Sequence, residues 1–357
     1  MCIRDRPRTE LWQLEHRPCQ RGVDLGANVP ICRTQIEVHS LMGRRWLFGL
    51  VAALAIYLGL TTAFGIQEVS ATLGKLPLHW WILAPAICLG GHLLLLGRWC
   101  YYLSQLGFPL RLKPAAKIYA EGLALIAAPG RSGEAVRGVW LQRRHGFPVT
   151  VGVGITLAER SADLASALLV LSWGLKERAW IAMVICLAFL GIGGWVLTHP
   201  RVLRRIEHWL ERLSLHQRWS HLIRFLHEAL LALSRVRQLM KPKPLIVGTL
   251  LAGICWMFEA GLLVALYQAL GTDLSLHQAA VIRTATGLGG VISLLPAGLG
   301  TSEATSIGLA MLYGADRSQA LAVTLLLRLC TLVIPCLVGV LALMNGREEA
   351  DKKAKGT

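Results

Sequence analysis

Charged residues lie inside apolar stretches of this chain, where each one costs about 2.5–3.5 kcal/mol at the centre of a membrane-spanning helix. These residues are Glu121, Glu134, Glu159, Arg160, Asp163, Glu259, Arg283, Glu303 and Arg328. A set of this size is tolerated where the charges pair with one another, line water, or do both. The arginines could hold an anion such as a phosphate. The carboxylates could bind a cationic group, neutralise the arginines or carry protons, and the sequence leaves these three roles open.

Two Pro/Gly-rich breaks interrupt the apolar sequence, the first break at Pro129–Glu134 and the second break at Pro296–Glu303. The glutamate that ends each break is followed at nearly the same distance by an arginine, 26 residues on at Arg160 and 25 residues on at Arg328. The residues expected to interrupt the helices at these breaks are Pro129, Gly130, Gly133, Pro296, Gly298 and Gly300. Paired interrupted segments at corresponding positions of two halves are typical of the binding site of a membrane transporter.

A new helix is expected to begin after each break, with its free N–H groups and positive dipole end inside the membrane, where an anion would be stabilised. Glu134 and Glu303 would lie in the first turn of these helices, and Ser302 or Thr301 could cap the second one. Simple capping is the alternative, because carboxylates favour helix N-termini whether or not a ligand binds.

The candidate binding set combines the arginines and carboxylates nearest to the breaks. It comprises Arg131, Glu134, Glu159, Arg160, Asp163, Arg283, Glu303 and Arg328. Arg160 lies about 16 Å along its helix, near the middle of the membrane, and the partner of Arg328 is expected to be Glu303 or Glu134. The alternative is that these residues only form ion pairs that lock the helices together.

Signatures of other chemistry are missing from the sequence. It contains no HExxH motif, no G-x-S-x-G elbow and no P-loop, so no catalytic residue and no cofactor is predicted. The cysteines show no paired CxxC spacing, which argues against a metal site, and we interpret them as small apolar residues. His92 is interpreted as a hydrogen-bonded core residue.

The composition excludes an ordinary soluble protein. Of the 357 residues, 54% are hydrophobic and only 16% are charged, whereas about 25% charged is usual for soluble domains. The net charge of +16 falls on alternate loops between apolar segments, which is the positive-inside pattern of membrane proteins. Nucleic acid is therefore not an expected partner.

The apolar segments and loop charges predict an all-α integral membrane protein with six transmembrane helices and two re-entrant helical hairpins. The predicted spans are 46–66, 79–97, 149–173, 180–198, 244–270 and 318–344. The hairpins consist of 115–128 with 135–144, and of 277–295 with 304–313. The positions of the basic loops predict that the first hairpin opens to the cytoplasm and the second to the outside. The two halves are therefore predicted to form an inverted-topology repeat with a shared site near the middle of the membrane.

The predicted domain organisation follows from this repeat. Residues 1–41 are a non-native or disordered extension, residues 42–344 form the transmembrane domain with repeats 42–175 and 176–344, and residues 345–357 are a cytoplasmic tail. Residues 201–243 carry many basic side chains between apolar positions at helical spacing. They are expected to lie on the anionic inner surface of the membrane, or alternatively to form a solvated helical extension.

The two break regions resemble a known family. PGRSGEAVRGVWLQRRHG followed by AERSAD, and PAGLGTSEATSIGLAMLYG followed by LLLRL, look like the two signature regions of the flippase-like transmembrane domain of the lysylphosphatidylglycerol synthetase family. The resemblance extends over roughly residues 44–344. It implies a stand-alone member without the synthetase domain, in which Glu134, Arg160, Asp163, Glu303 and Arg328 are the translocation-site residues.

The resemblance and the charge pattern together imply a lipid flippase or transporter in the bacterial inner membrane, with both termini cytoplasmic. Its partner would be a phosphate-bearing lipid, aminoacylated or glycosylated, and a homo-oligomer is compatible with the sequence. The alternatives are a membrane enzyme or an assembly factor acting on polyprenyl-phosphate, glycan or hopanoid lipids. The headgroup, coupling ion and direction of transport are left open.

Overall fold

Every regular element in the described part of the chain is a helix, as the sequence predicts. The computed structural model describes residues 66–128, 134–175, 235–293 and 295–355, with single positions between 184 and 233. Five predictions lie outside these residues in whole or in large part: the extension 1–41, the spans 46–66 and 180–198, the surface segment 201–243, and residues 129–133 of the first break. The assignment of repeats and domains stays a prediction.

Within the described ranges, ten α-helices follow one another. They are α1 Ile66–Gly74, α2 Trp80–Gln105, α3 Leu112–Leu123, α4 Arg137–His145, α5 Val149–Leu175, α6 Pro242–Ala269, α7 Leu276–Ile292, α8 Thr301–Leu312, α9 Arg317–Arg328 and α10 Ile334–Lys355. A short 3₁₀ turn at Pro296–Gly298 lies between α7 and α8, and a π-helical turn at Leu329–Val333 joins α9 to α10. The first break therefore separates α3 from α4, and the second break separates α7 from α8.

Three helical stretches within the described residues are long and apolar enough to cross a membrane. They are Trp80–Gln105, Pro242–Ala269 and Arg317–Asn345, with 26, 28 and 29 residues. At 1.5 Å per residue each is about 40 Å long, which exceeds the roughly 30 Å of hydrocarbon in a bilayer. Large apolar side chains on their surfaces are exposed, among them Ile82, Leu250 and Leu341. These features assign the chain to the membrane class.

Helix α1 corrects one expectation. The predicted spans 46–66 and 79–97 leave a short loop between them that contains Glu68 and Lys75, whereas residues Ile66–Gly74 form a nine-residue helix. The helix forms because Val69, 5% exposed, packs against Leu321 and Ala322 of α9. Burial of an apolar stripe on a neighbouring helix supplies stability that a short isolated helix would lack.

Two glycines bring α4 against α5. A Cβ atom on Gly152 would lie 2.2 Å from the Cα atom of Gly138 and 2.5 Å from its backbone nitrogen. Backbone atoms cannot move aside as a flexible side chain can, so only glycine permits this approach. The crossing fixes α4, which begins just after the first break, on the helix that carries Arg160.

Candidate functional site

A cavity of about 380 Å³ lies between helices that come from both predicted repeats. Five of its described lining residues are charged, and they are Arg160, Asp163, Glu259, Arg283 and Arg328. Much of the remaining wall is apolar, with Leu164, Leu263 and Leu327 among its residues. The cavity can therefore accept a charged group while apolar side chains surround it.

The glutamate of the first break pairs with the arginine at the centre of α5. Arg160 Nη2 donates to Glu134 Oε2 at 3.1 Å. The same nitrogen lies 3.1 Å from Asp163 Oδ2, one helical turn further along α5. Two carboxylates thus hold the Arg160 guanidinium, whose side chain is 27% exposed at the cavity.

A second arginine supports this pair from α2. Arg98 Nη1 donates to Asp163 Oδ1 at 2.6 Å, and Arg98 is only 1% exposed. The predicted span 79–97 ends just before Arg98 and thus leaves this residue in the cytoplasmic loop that follows. This prediction is wrong because α2 continues to Gln105. The helix is extended by residues such as Trp99 and Leu103, which are completely buried. Arg98 holds Asp163 in place rather than marking a loop.

Arg137 is a further buried charge that the sequence reasoning missed. Its Nη2 donates to Glu134 Oε2 at 2.7 Å and to Glu159 Oε2 at 2.8 Å. Its guanidinium lies 4.6 Å from the centre of the Trp99 ring. The signal for it was the spacing of three residues from Glu134, which brings two side chains together on a helix. Glu159 therefore partners Arg137 behind the cavity and does not line it.

The second break is held by Arg328. Its Nε lies 2.7 Å from Glu303 Oε1, and its Nη1 and Nη2 donate to the carbonyls of Ala297 at 3.1 Å and Gly298 at 3.5 Å. Of the two partners expected for Arg328, the structure selects Glu303. All three guanidinium nitrogens thus contact the second break, which makes Arg328 a clamp on this segment.

The cap of α8 differs from the expected one. The helix begins after Gly300, whose N–H donates to Glu303 Oε2 at 2.7 Å. The Thr301 hydroxyl donates instead to the Gly298 carbonyl, and the Ser302 hydroxyl donates to the Thr286 carbonyl of α7. The expectation of a Ser302 or Thr301 cap is therefore wrong, because Glu303 already satisfies the N-terminal donor while it pairs with Arg328.

The segments around the two breaks touch through the backbone. The N–H of Ala297, in the second break, donates to the carbonyl of Ala127, two residues before the first break, at 2.9 Å. Ala297 has a φ of 55°, the single positive value for a residue other than glycine in the described ranges. Left-handed backbone costs such a residue about 1–2 kcal/mol, so neighbouring contacts must hold it, and Arg328 binds its carbonyl.

A further ion pair faces the cavity from α6 and α7. Arg283 Nε donates to Glu259 Oε2, and the Arg283 guanidinium lies 4.6 Å from the centre of the Trp256 ring. The two charged side chains are 18% and 19% exposed. Neither Glu259 nor Trp256 belongs to the predicted binding set, although Glu259 was recognised as a charge within an apolar segment.

The predicted binding set is thus divided between two positions. Arg160, Asp163, Arg283 and Arg328 line the cavity, whereas Glu134, Glu159 and Glu303 are buried beside it and pair with arginines. Arg131, Pro129, Gly130 and Gly133 lie outside the described residues. The repeated spacing in the sequence corresponds to the same contact after both breaks, a break glutamate paired with the arginine of the following long helix.

Comparison with known proteins identifies the family. A family model described as the lysylphosphatidylglycerol synthase TM region matches residues 46–339. A UPF0104 membrane protein of Methanocaldococcus jannaschii is 31% identical over 108 residues, which are 30% of this chain and 32% of the relative. The alignment therefore spans about a third of the curated relative. Because the family model matches well over half of the chain, this protein belongs to the lysylphosphatidylglycerol synthase transmembrane-region family.

Proposed function

We propose that this protein moves a phosphate-bearing lipid across the bacterial inner membrane through the charged cavity. The observation that carries the proposal is the position of Arg160 and Arg328, one from each half, on the wall of one cavity and each paired with a break glutamate. Guanidinium groups bind phosphate in a planar, bidentate geometry. The lipid class includes aminoacylated and glycosylated headgroups.

Transport would depend on an exchange of the groups that pair with Arg160, between carboxylates of the protein and a phosphate of the lipid. In the absence of ligand Glu134 and Asp163 neutralise Arg160, which limits the cost of a charge inside the membrane. A lipid phosphate would compete for the same guanidinium, and its release would restore the carboxylate contact. The acyl tails would stay in the hydrocarbon outside the helices, where many apolar side chains are exposed.

The helix lengths support re-entrant hairpins. Helices α3 and α8 have 12 residues each, and α4 has nine, so they are about 18 Å and 14 Å long at 1.5 Å per residue. None of the three can cross about 30 Å of hydrocarbon. Two such hairpins that open to opposite sides would give alternating access to a shared site, in a six-span inverted repeat with both termini in the cytoplasm.

We further propose that residues 201–243 lie on the anionic inner surface of the membrane. We also propose that the protein is not an enzyme. Ten of these residues are Lys or Arg, a density that attracts anionic headgroups. A homo-oligomer is compatible with this arrangement.

Arg160→Gln and Arg328→Gln are expected to lower lipid translocation about tenfold, because the first removes a guanidinium that is open to a phosphate and the second removes the charge that clamps the second break beside the cavity. The measurement is the loss of fluorescent phosphatidylglycerol from the protected leaflet of proteoliposomes, followed by dithionite quenching. Arg143→Gln is the matched control, since Arg143 is exposed on α4, and it should translocate at the wild-type rate.

Three other results would contradict the proposal. Wild-type rates in both variants would exclude the assigned site. Metal-dependent product formation from a polyprenyl phosphate, without translocation, would favour a membrane enzyme. A cellular phenotype that survives replacement of both arginines by apolar residues would favour an assembly factor.

A further inference from the structure

The cavity contains a second charged cluster that is separate from the two breaks. Gly290 of α7 lies against the second break, since a Cβ on it would be 2.4 Å from Ser302 Oγ and 3.5 Å from the Cα of Gly298. Arg283 precedes Gly290 by seven residues on the same helix, which is about 10 Å at 1.5 Å per residue. The Arg283–Glu259 pair and Trp256 thus form an outlying cluster in the same cavity.

The exposure of this cluster distinguishes it from a structural ion pair. Arg137 and Arg283 both lie 4.6 Å from the centre of a tryptophan ring, Trp99 and Trp256 respectively. The Arg137–Glu159 pair is sealed, with both side chains 2% exposed, whereas the Arg283–Glu259 pair is 18% and 19% exposed. The sealed pair holds helices together, and the open pair is accessible to a ligand in the cavity.

The indole of Trp256 has a fixed place against α7. A Cβ atom on Gly287, one turn after Arg283, would lie 2.5 Å from the Trp256 ring. The absence of a side chain at Gly287 therefore allows the ring to lie close to the helix, and the ring in turn supports the Arg283 guanidinium. A guanidinium held flat on an aromatic face is preorganised to bind an anion.

The hydrogen bonds of Arg283 leave part of the guanidinium available. Within the described ranges its side chain donates to Glu259 through Nε, and no further acceptor contacts its two Nη atoms. The two Nη atoms form one edge of the guanidinium, and an arginine can bind two phosphate oxygens side by side along such an edge. Because Glu259 neutralises the arginine, an anion would bind here weakly, as is needed at an intermediate position from which a permeant group must leave.

We infer that Arg283, Glu259 and Trp256 form a second phosphate subsite, which the lipid headgroup occupies on its way to or from the Arg160 and Arg328 cluster. The ligand class is a phosphate ester anion. The inference rests on the proposed transport function and adds an intermediate position to it, about two helical turns from the breaks. Glu259 sets the affinity of this subsite, and Trp256 orients its arginine.

The test is a binding titration of the full-length protein with two probes, short-chain dihexanoylphosphatidylglycerol and inorganic phosphate. The difference in tryptophan fluorescence between the wild type and Trp256→Phe reports on the second subsite alone. We expect the lipid probe to change this signal, Arg283→Gln to abolish the change, and Glu259→Gln to tighten binding about tenfold because the competing carboxylate is lost. Arg143→Gln should leave the titration unchanged.

Translocation measured on the same variants separates this inference from the proposed function. Glu259→Gln is expected to slow translocation several-fold, because tighter binding delays release. Titrations of Glu259→Gln and Trp256→Phe that match the wild type, in protein that still moves lipid, would overturn the subsite and leave the transport function standing. A normal Trp256 signal in protein that moves no lipid would support the subsite and overturn the transport function.

Two further results bear on the identity of the ligand and on folding. A signal produced by inorganic phosphate but not by the short-chain lipid would overturn the assignment to a lipid headgroup. Where Arg283→Gln does not give a folded protein, Glu259→Gln carries the test, because it removes a negative charge and leaves the arginine on its tryptophan.

Discussion

Replacing Arg137 by methionine is expected to lower the stability of the folded protein by about 3–5 kcal/mol, because removal of one partner leaves a buried charge uncompensated. Arg137 neutralises Glu134 and Glu159, which are 4% and 1% exposed. Without it Glu159 would lose its buried ion-pair partner, while Glu134 would keep its contact with Arg160. The measurement is the apparent unfolding temperature of the purified protein in detergent, together with its elution from a size-exclusion column.

A second substitution shows whether the cause is charge. In the double variant Arg137→Met with Glu159→Gln, one of the two carboxylates becomes neutral, and part of the lost stability should return. Arg143→Gln on the same helix is the control for an exposed arginine, and its unfolding temperature should equal that of the wild type. An Arg137→Met protein with an unchanged unfolding temperature would show that the buried pairs contribute nothing to stability.

Gly152→Ala is expected to reduce translocation about 100-fold and to destabilise the protein by about 1–3 kcal/mol, which is usual for an overpacked core. The new Cβ atom would lie 2.2 Å from the Cα atom of Gly138, so α4 and α5 must separate. Separation draws Glu134 away from Arg160, and a displacement of about 1 Å at a reacting or binding group can cost such a factor. The lipid translocation assay and thermal unfolding measure the two effects.

The matched control for this change is Gly91→Ala on α2. A Cβ atom there would meet its nearest neighbour, the Cys255 sulfur, at 3.8 Å, which is ordinary van der Waals contact. The control should therefore transport and unfold as the wild type does. Equal behaviour of the two alanine variants would mean that the helices accommodate the clash without moving the ion pairs.

The sequence predicts those parts of the site that depend on spacing along the chain. The distance from each break glutamate to the next central arginine led to Glu303 as one of two partners for Arg328, and the structure contains that pair. The positions of α5, α6 and α7 also agree with the predicted segments within a few residues. Periodicity and helix length decide these features, and both can be counted in a sequence.

Contacts between distant helices could not be predicted in this way. Arg98 and Asp163 are 65 residues apart, and their pairing depends on how α2 packs on α5. An arginine beside an apolar segment has the same pattern whether it marks a loop or continues the helix into a buried pair. The cap of α8 could not be predicted for a similar reason. Thr301, Ser302 and Glu303 can all cap a helix, and only the fold determines which of them accepts the hydrogen bond from the Gly300 N–H.

The predicted binding set combines residues that have different roles in the structure. Its arginines divide into Arg160 and Arg283, which keep open sides towards the cavity, and Arg328, whose three nitrogens contact the second break. Arg160 and Arg328 have the same charge and nearly the same spacing from their break glutamates, so the difference between them depends on the backbone around each one.

The hydrogen bond between Ala297 and Ala127 is made entirely by main-chain atoms. Side-chain substitutions do not delete such a bond directly, and residue identities along the chain give no sign of it. Under the proposed function, the cavity wall could therefore change its side chains to suit another headgroup while the segments around the two breaks remain joined. Under the proposed transport function, such a contact would let the headgroup preference change while the segments around the two breaks keep their relative position.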